Sequence, residues 1–326
     1  MQVKKTNGSQ TNHPSDKILV CGGAGYIGGY LTDLLSQHDY AVTVYDNLTY
    51  EMQYRKDVHF VFGDIRDREK LIQLMLDYDT VIWLAALVGD GACEINSTVA
   101  TEINTLSVEW LVENYPGKII FMSTCSVYGS NDNLVDESGE LNPLSHYART
   151  KLEAEKIIIG RSKNHLVFRL GTLYGISDIH SRVRLDLVVN VLSKKAALGE
   201  HLVVFGGGQW RPLLHVRDVA RAVLFGLKNN LTGLFNLSNE NYRIRDIARE
   251  IAKVVPGVKI EYVNQKFEDL RNYRVLSEKF KACGWQPEYN LEHGIREICQ
   301  IVAERRLKEP DDARHSNVAY LRDKII

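Results

Sequence analysis

The segment CGGAGYIGG at residues 21–29 limits the possible folds of this chain more than any other stretch. It places five glycines in nine positions directly after the apolar run at 18–20. Glycine is favoured where a backbone turns sharply or lies against a bulky group such as a phosphate. Gly22, Gly25 and Gly28 form a G-x-x-G-x-x-G pattern between a predicted strand and a predicted helix, a context in which backbone N–H groups can bind a pyrophosphate. The alternative is a left-handed turn followed by a capping aspartate.

Short β-branched runs alternate with helical stretches from Lys17 to about residue 175. The runs include KILVC, AVTVYD, TVIWLAA, KIIFMST and HLVFRL, and the helical stretches include REKLIQLMLD, TEINTLSVEWLVENY and YARTKLEAEKIII. This alternation predicts right-handed crossovers and a parallel sheet with helices on both faces. We therefore predict an α/β fold: a doubly wound parallel sheet of the Rossmann type, with a smaller C-terminal α/β domain.

The domain boundaries follow from where this alternation stops. We place the dinucleotide-binding domain at residues 16–175, with a returning segment near 212–230, and a mainly substrate-binding domain at 176–326. Helices are predicted at 216–228 and near 243–254. Residues 1–15 are polar and are predicted to form a disordered leader.

Composition excludes several classes of partner. Lysine and arginine number 40 against 41 acidic residues, so no overall field would attract nucleic acid or an anionic membrane. The five cysteines form neither a C-x-x-C pair nor a metal-ligand spacing, so we predict no metal site and a reducing, cytoplasmic location. No stretch approaches 18 apolar residues.

Acidic and small residues follow the predicted strands and suggest how a dinucleotide would lie. Asp46 ends the second strand, 18 residues after Gly28, where a carboxylate can bind both adenosine ribose hydroxyls and would repel a 2′-phosphate. We therefore predict NAD as the cofactor. Asp64 could meet the adenine edge or cap a helix, and Leu84, Ala85 and Ala86 would leave room across the sheet.

The reacting groups are predicted on one helix and one strand. Tyr147 and Lys151 lie four residues apart, which places them on the same helix face. An ammonium and a positive nicotinamide ring would both lower the pKa of the phenol, so Tyr147 could act as a base. Thr124, at the end of an apolar strand, could hold the substrate oxygen, whereas Ser123 or Ser126 could simply satisfy strand-end backbone groups.

Taken together, the motifs resemble those of the extended short-chain dehydrogenases/reductases, in the nucleotide-sugar epimerase and dehydratase group. GGAGYIG, the acid at Asp46, GDIRD, LAA, STCSVYG, YARTK, FRLGTLYG and RPLLHVRDVA follow that family's order over roughly residues 17–300. The resemblance implies catalytic roles for Thr124, Tyr147 and Lys151, and for Asn104 in holding a proton-relay water; a plain helix-face asparagine is the alternative. Further cofactor contacts are expected at Tyr26, Ile27, Asn47, Ile65 and Ser123.

The resemblance also narrows the reaction. Dehydratases of the family carry an Asp-Glu pair where this chain has Cys125-Ser126, and keto-sugar reductases usually take NADPH, which Asp46 disfavours. We therefore expect oxidation of a nucleotide-diphosphate sugar at C4 by NAD, in a 4-epimerase or a 4-dehydrogenase. The alternatives are an NADPH-dependent 4-keto-sugar reductase and a non-catalytic NAD-sensing protein.

A bacterial subgroup that makes surface polysaccharides offers a closer resemblance. AALVGDGACEIN, GTLYG, GGGQWRPLLHV and DLRNYRV are similar to segments of enzymes for GDP-linked sugars, including the GDP-heptose 4-dehydrogenases of capsule synthesis. Thr172 departs from the asparagine of galactose-type epimerases.

The substrate partner is predicted to be a nucleotide-diphosphate sugar. Arg211 and Arg271 match the family's diphosphate-contacting positions, and a planar guanidinium can bind a diphosphate with paired hydrogen bonds. Other substrate contacts are expected at Val88, Thr124, Cys125, Ser126, Thr172, Arg182 and Arg184. The helices at 101–115 and 147–160 resemble the family's dimer interface, so a homodimer or a dimer of dimers is expected.

Overall fold

The computed structural model describes residues 16–178, 180–263, 271–322 and 324. The predicted leader at 1–15 lies outside the described residues. The strands are β1 Lys17–Cys21, β2 Ala41–Asp46, β3 His59–Phe62, β4 Thr80–Trp83, β5 Lys118–Thr124, β6 Ser130–Val135, β7 His165–Leu170, β8 Thr172–Tyr174, β9 Leu202–Phe205, β10 Trp210–His215, β11 Gly233–Leu237, β12 Glu240–Arg243, β13 Ile260–Val263 and β14 Asn272–Val275.

The α-helices are α1 Gly28–Ser36, α2 Arg68–Met75, α3 Asp90–Ile95, α4 Ser97–Thr101, α5 Ser107–Asn114, α6 His146–Arg161, α7 Val188–Ala197, α8 Val216–Lys228, α9 Ile244–Val254, α10 Glu278–Lys281, α11 Leu291–Ala303 and α12 Asn317–Arg322. One turn of π-helix, Glu102–Leu106, separates α4 from α5. The single helix expected at 101–115 is therefore interrupted by a wider turn. The helices expected at 216–228 and near 243–254 are α8 and α9.

Seven parallel strands form the main sheet, in the order β11-β7-β5-β4-β1-β2-β3. The chain leaves β1 towards β2 and β3 on one side, then crosses to β4 on the other, so the strand order reverses between β1 and β4. Loops that follow the strands on either side of such a reversal diverge and leave a crevice at the carboxyl edge of the sheet. This edge is where the glycine segment and the predicted catalytic strand end.

Apolar side chains alternate along the central strands and create a core on each face of the sheet. Ile18 and Val20 belong to the core that includes α1 and α8, whereas Leu19 belongs to the one that includes α5 and α6. Such two-sided burial requires the near-continuous apolar strands seen in the sequence. The predicted doubly wound fold is confirmed.

The rest of the chain forms smaller sheets. β10 lies between β8, with which it is parallel, and the antiparallel β12, while β9 pairs with β13 and β6 with β14. Helices α7, α9 and α11 pack together over a separate apolar core. β8, β9 and β10 belong to the smaller sheets, and the chain then returns to the main sheet as β11. The domain boundary at residue 175 stays a prediction.

The described residues contain neither a membrane-spanning helix nor a cluster of metal ligands. None of the helices in those residues is long and apolar enough to cross a membrane. No group of three or more His, Cys, Asp or Glu side chains within 16–178, 180–263 or 271–322 is arranged to hold a metal ion. The cytoplasmic location stays a prediction.

Candidate active site

A deep cavity opens at the carboxyl edge of the main sheet. Its wall comes from the loops that follow β1, β2, β3, β4, β5 and β7, together with segments from the smaller sheets. The strand-order reversal places these loops around one crevice, so residues far apart in sequence share it.

The glycine segment forms one end of this cavity. Gly22 has a φ of +83°, and a Cβ atom at this position would lie 2.5 Å from the backbone nitrogen of Ala85. A side chain at residue 22 would therefore separate the loop that follows β1 from the loop that follows β4. Gly25 lines the cavity with Tyr26 and Ile27, and the tyrosine hydroxyl donates to the Gly175 carbonyl at 2.6 Å.

Gly28 allows close packing of the backbone and does not line the cavity. A Cβ atom here would lie 2.2 Å from the Gly23 carbonyl oxygen, and Gly28 is absent from the residues that line the cavity. The cofactor contact expected at Gly28 stays a prediction. Without a side chain, Gly28 allows α1 to start against the loop.

Asp46 holds the loop together from the end of β2. Its carboxylate oxygens accept hydrogen bonds from the backbone N–H groups of Ala24, at 3.0 Å, and Leu48, at 2.7 Å. Burial raises the pKa of Asp46, although these two hydrogen bonds oppose the shift. Each oxygen keeps a further lone pair, so the residue can still accept from ribose hydroxyls.

Asp64 is held by two neighbours and caps no helix. Arg66 donates to both of its carboxylate oxygens, at 2.9 and 2.8 Å, and Asn47 donates to one of them at 2.9 Å. The hydrogen bonds from Arg66 lower the pKa of Asp64 to about 2. The N-cap of α2 is Asp67, so the capping alternative for Asp64 is wrong. Ile65 and Arg66 both line the cavity.

The loop after β4 is held from behind by Asn104. Leu84, Ala85, Ala86 and Val88 all line the cavity. The Asn104 side chain accepts from the Leu87 N–H at 2.8 Å and donates to the Leu87 carbonyl at 2.9 Å. Asn104 is buried and does not line the cavity, and its role in holding a relay water stays a prediction. Its place on the π-turn makes it a positioning residue for this loop.

The predicted catalytic groups meet at the centre of the cavity. Tyr147 and Lys151 both come from α6, whose N-cap Ser145 accepts from the Ala148 N–H at 3.1 Å. Thr124, at the end of β5, lines the same cavity, and its side chain lies close enough to Tyr147 to lower the pKa of the tyrosine. Thr124 also accepts from the Ser126 N–H at 3.1 Å, which fixes its orientation.

Burial dominates the electrostatics of this pair in the polypeptide alone. It raises the pKa of Tyr147, against the lowering effects of Arg184 and of the Thr124 side chain. Burial also lowers the pKa of Lys151 to about 7, although its amine lies 3.9 Å from the centre of the Phe121 ring. The expected lowering of the pKa of Tyr147 by Lys151 is therefore not found in the polypeptide, where Arg184 is the nearby cation that favours the phenolate.

Ser123 links the site to a buried ion pair. Its hydroxyl donates to a Glu155 carboxylate oxygen at 2.6 Å, and Glu155 pairs with Arg169 at 2.6 Å. The side chains of Glu155 and Arg169 are at most 3% exposed. Although Ser123 lines the cavity, its hydroxyl satisfies this pair. That outcome is close to the alternative in which it satisfies groups at the end of the strand.

The predicted substrate residues divide into two groups. Val88, Ser126, Thr172, Arg182, Arg184 and Arg271 line the cavity. Arg184 pairs with Asp186 at 3.1 Å and Arg271 with Asp90 at 3.2 Å, so each guanidinium is held by a carboxylate. Arg182 lies 3.6 Å from the centre of the Tyr50 ring, and burial lowers its pKa to about 10.

Cys125 and Arg211 do not reach the cavity. The Cys125 thiol donates to the Arg169 carbonyl at 3.2 Å, on the side of β5 away from the cavity, and burial raises its pKa. Arg211 donates to the backbone carbonyls of Trp210, at 2.8 Å, and Arg271, at 2.5 Å. Both predicted substrate contacts stay predictions. Arg211 instead bonds the backbone of Arg271, which does line the cavity.

Several cavity residues were not predicted. Arg66 belongs to the GDIRD motif, so its charge next to Asp64 could have identified it. Tyr50 follows β2 without any motif. Asn317 comes from the C-terminal helix α12, and nothing in the local sequence signals that it reaches a cavity built around residues 22–187.

Comparison with known proteins agrees with this geometry. The family model described as "NAD dependent epimerase/dehydratase family" matches residues 18–238. A protein of Methanocaldococcus jannaschii named "Putative UDP-glucose 4-epimerase" is 31% identical over 304 residues, which cover 86% of this chain and 96% of that protein.

Solved structures of similar proteins have the same fold. The UDP-glucuronic acid 4-epimerase of Bacillus cereus, in complex with UDP-glucuronic acid and NAD, has a TM-score of 0.76 at 25% identity, and the match covers 88% of this chain and 99% of that one. The dTDP-glucose 4,6-dehydratase of Bacillus anthracis, in complex with NAD, has a TM-score of 0.76 at 26% identity, with coverage of 91% and 98%.

The residues present fit the dinucleotide that this family uses. Gly22 and Gly25 supply a loop without side chains, Tyr26 and Ile27 bring backbone to the cavity where the loop leads into α1, and Asp46 supplies a carboxylate. The chain therefore belongs to the NAD dependent epimerase/dehydratase family, whose members are enzymes of the extended short-chain dehydrogenase/reductase type that act on nucleotide sugars with NAD.

Proposed function

We propose that this enzyme oxidises the C4 hydroxyl of a nucleotide-diphosphate sugar, as a 4-epimerase or a 4-dehydrogenase. The observation that carries the proposal is that Tyr147, Lys151 and Thr124 line the same cavity as the glycine loop. A sugar hydroxyl held by Thr124 would lie within reach of the tyrosine oxygen, which is the geometry that proton removal requires.

Each group then has a defined task. Tyr147 removes the proton of the C4 hydroxyl as its carbon loses hydride, and Thr124 holds the same oxygen in place. Bound NAD supplies the hydride acceptor. Because Arg184 favours the phenolate, it helps Tyr147 to ionise, and Lys151 lies on the same helix face.

One arginine is suited to the diphosphate. Arg271 lines the cavity, and a guanidinium can donate two parallel hydrogen bonds to phosphate oxygens. Its carboxylate partner Asp90 orients it before the ligand arrives. Arg184, whose charge acts on Tyr147, is left for the reacting end of the substrate.

The chemistry around Thr124 favours simple oxidation over dehydration. Eliminating water from a 4-keto sugar needs an acid and a base beside the reacting carbons. The acidic residues that line the described part of the cavity are Asp46, Glu51 and Asp64, and all three follow β2 or β3. Cys125 faces away and Ser126 is hydrogen-bonded to Tyr273 at 3.2 Å.

The identity of the nucleotide and the sugar belongs to this proposal. The curated relatives and solved structures carry names of UDP- and dTDP-sugar enzymes, whereas the resemblance noted in the sequence points to GDP-heptose and capsule synthesis. We propose a panel of UDP-, dTDP- and GDP-sugars as the decisive substrate test.

A homodimer built on α5 and α6 is also proposed. Leu106, on the π-turn that leads into α5, and Ile159, on α6, are 44% and 40% exposed, and a groove beside them includes Ile157 and Gly160. Burying such residues against a second copy would stabilise a dimer. Light scattering at micromolar concentration tests this, and a monomer would contradict it.

The function is tested by incubating the purified protein with NAD and each sugar nucleotide. We expect a 4-keto or 4-epimer product by NMR, and a slower rate when C4 carries deuterium. Faster turnover of a 4-keto sugar with NADPH than with NADH would identify a reductase instead.

The Tyr147→Phe variant tests the assigned base. It removes the proton acceptor, and loss of general-base catalysis typically costs about 100- to 10,000-fold in rate, whereas NAD binding should change little. Tyr262→Phe is the matched control, because Tyr262 is 50% exposed and lies outside the cavity. Activity of the Tyr147 variant equal to that of the control would remove the assignment.

A further inference from the structure

The C-terminal segment, residues 314–322, crosses from the smaller sheets back to the dinucleotide-binding sheet. The carbonyl of Arg314 accepts from the Arg182 guanidinium at 3.1 Å, and the Leu185 N–H donates to the His315 carbonyl at 2.9 Å. The Asn317 N–H donates to the Asp186 carboxylate at 2.8 Å. The segment therefore lies along residues 182–186, which form one wall of the cavity.

Helix α12 then packs next to the catalytic tyrosine. Leu321 is fully buried in an apolar cluster with Leu87, Ala92, Cys93 and Ala100, against which Tyr147 packs. Tyr320 lies 5.4 Å from Tyr50, measured between ring centres. Removing this segment would expose the cluster that supports Tyr147.

Asn317 lines the cavity with one unsatisfied polar atom. The side chain is almost fully buried, and its Nδ2 donates to the Val88 carbonyl at 2.6 Å. Only the amide nitrogen can face a carbonyl oxygen, so this bond settles the orientation of the amide. Its Oδ1 is buried without a hydrogen-bond partner among the residues that the structure describes. An acceptor in this state costs free energy unless a donor reaches it.

The surroundings of Asn317 indicate which donor would reach it. Its backbone is bonded to Asp186, the partner of Arg184, and Arg184 is close enough to favour ionisation of Tyr147. Val88, on the other side, belongs to the loop after β4. These contacts place Asn317 beside Arg184 and the loop after β4, in the part of the cavity that Tyr147 also lines.

We infer that Asn317 is a substrate-binding residue whose Oδ1 accepts a hydrogen bond from a hydroxyl group of the bound sugar, and that the C-terminal segment is part of the active-site wall. The inference rests on the proposed nucleotide-sugar function. It assigns discrimination among sugars to a residue that lies outside the region matched by the family model.

The experiment measures binding by calorimetry, with NAD present, of a nucleotide sugar, of its deoxy analogues and of the nucleoside diphosphate alone. Asn317→Ala should weaken binding of the nucleotide sugar by about 3- to 10-fold, as expected for one neutral hydrogen bond. Binding of the nucleoside diphosphate and of NAD should be unchanged. In the wild type, one deoxy analogue should bind weaker by a similar factor, and the variant should not distinguish that analogue from the parent sugar.

The controls separate the possible failures. Asn114→Ala changes an asparagine of α5 that bonds only within its own helix in the described structure, and it should behave as the wild type. If Asn317→Ala unfolds, Asn317→Leu keeps the volume without the amide. Three results would each overturn the inference. The variant could bind the nucleotide sugar as tightly as the wild type does, or it could also bind the nucleoside diphosphate or NAD more weakly. The third such result is a variant that still distinguishes the deoxy analogue from the parent sugar as the wild type does. If the wild type binds no sugar nucleotide, the proposed function itself fails.

Discussion

Replacing Glu155 by glutamine should destabilise the protein because it leaves a buried guanidinium without its counter-charge. Arg169 Nη2 and Nε lie 2.6 and 3.1 Å from the two Glu155 carboxylate oxygens, and the side chains are 3% and 2% exposed. Arg169 has two other acceptors, the Tyr128 hydroxyl at 2.7 Å and the Glu137 carbonyl at 3.1 Å, but neither carries a charge.

The size of the effect follows from the cost of an unpaired buried ion. Removing one partner of a buried ion pair costs about 3–5 kcal/mol, which is a large share of the 5–15 kcal/mol that typically separates folded from unfolded states. We expect a loss of about 3–5 kcal/mol in the free energy of unfolding. Ser123 would also lose its charged acceptor, at the residue next to Thr124.

Denaturant unfolding, followed by tryptophan fluorescence, measures this loss. Glu153→Gln is the matched control on the exposed face of α6 and should change stability by less than about 0.5 kcal/mol. The double variant Glu155→Leu with Arg169→Leu should cost less than the sum of the two single leucine variants, because neither charge is then left buried alone. A loss of under about 1 kcal/mol for Glu155→Gln, or additive leucine variants, would refute the reasoning.

Three further predictions concern Gly22, Lys151 and Asp46. Gly22→Ala should lower NAD affinity at least about tenfold, because the added methyl would lie 2.5 Å from the backbone nitrogen of Ala85 at a residue whose φ is +83°. Gly160→Ala is the control, because the space around its Cβ position is open, and it should leave NAD affinity unchanged. Equal NAD affinities of the two variants, measured by calorimetry, would contradict this prediction. Lys151 has its pKa lowered from 10.5 to about 7, so the unfolded chain binds more protons between these values and stability should rise with pH there. In unfolding measurements without cofactor, Lys151→Met should lack about 2 kcal/mol of that rise between pH 7 and 9, and parallel pH profiles would count against it. Asp46→Ser should lower the preference for NAD over NADP in binding assays, and an unchanged ratio would show that the carboxylate does not repel a 2′-phosphate.

The elements of the site were predictable where local sequence determines local structure. Strands were predicted from the apolar run before Gly22 and from the β-branched run that ends in Asp46. Tyr147 and Lys151 share a helix face because they lie four residues apart. The sequence also predicts that these residues lie at one edge of the sheet, because the carboxyl ends of parallel strands meet there. It does not predict which side chains at that edge enter the cavity and which pack behind it.

Cys125 and Asn104 show where the pattern stops being informative. Cys125 directly follows Thr124, yet the turn after β5 points its thiol at the Arg169 carbonyl. Asn104 lies on a helix in sequence, and the π-turn that turns it towards Leu87 has no local signature. Both outcomes depend on neighbours that are distant in the chain.

The sequence by itself determined the doubly wound sheet, the dinucleotide loop and the helix that carries Tyr147 and Lys151, because periodicity and glycine placement act over a few residues. Only the tertiary structure decided the protonation tendencies of Tyr147 and Lys151, the burial of Glu155 with Arg169 and the arrival of Asn317 in the cavity. Desolvation and long-range contacts are properties of the packed molecule, since they depend on which surfaces exclude water together.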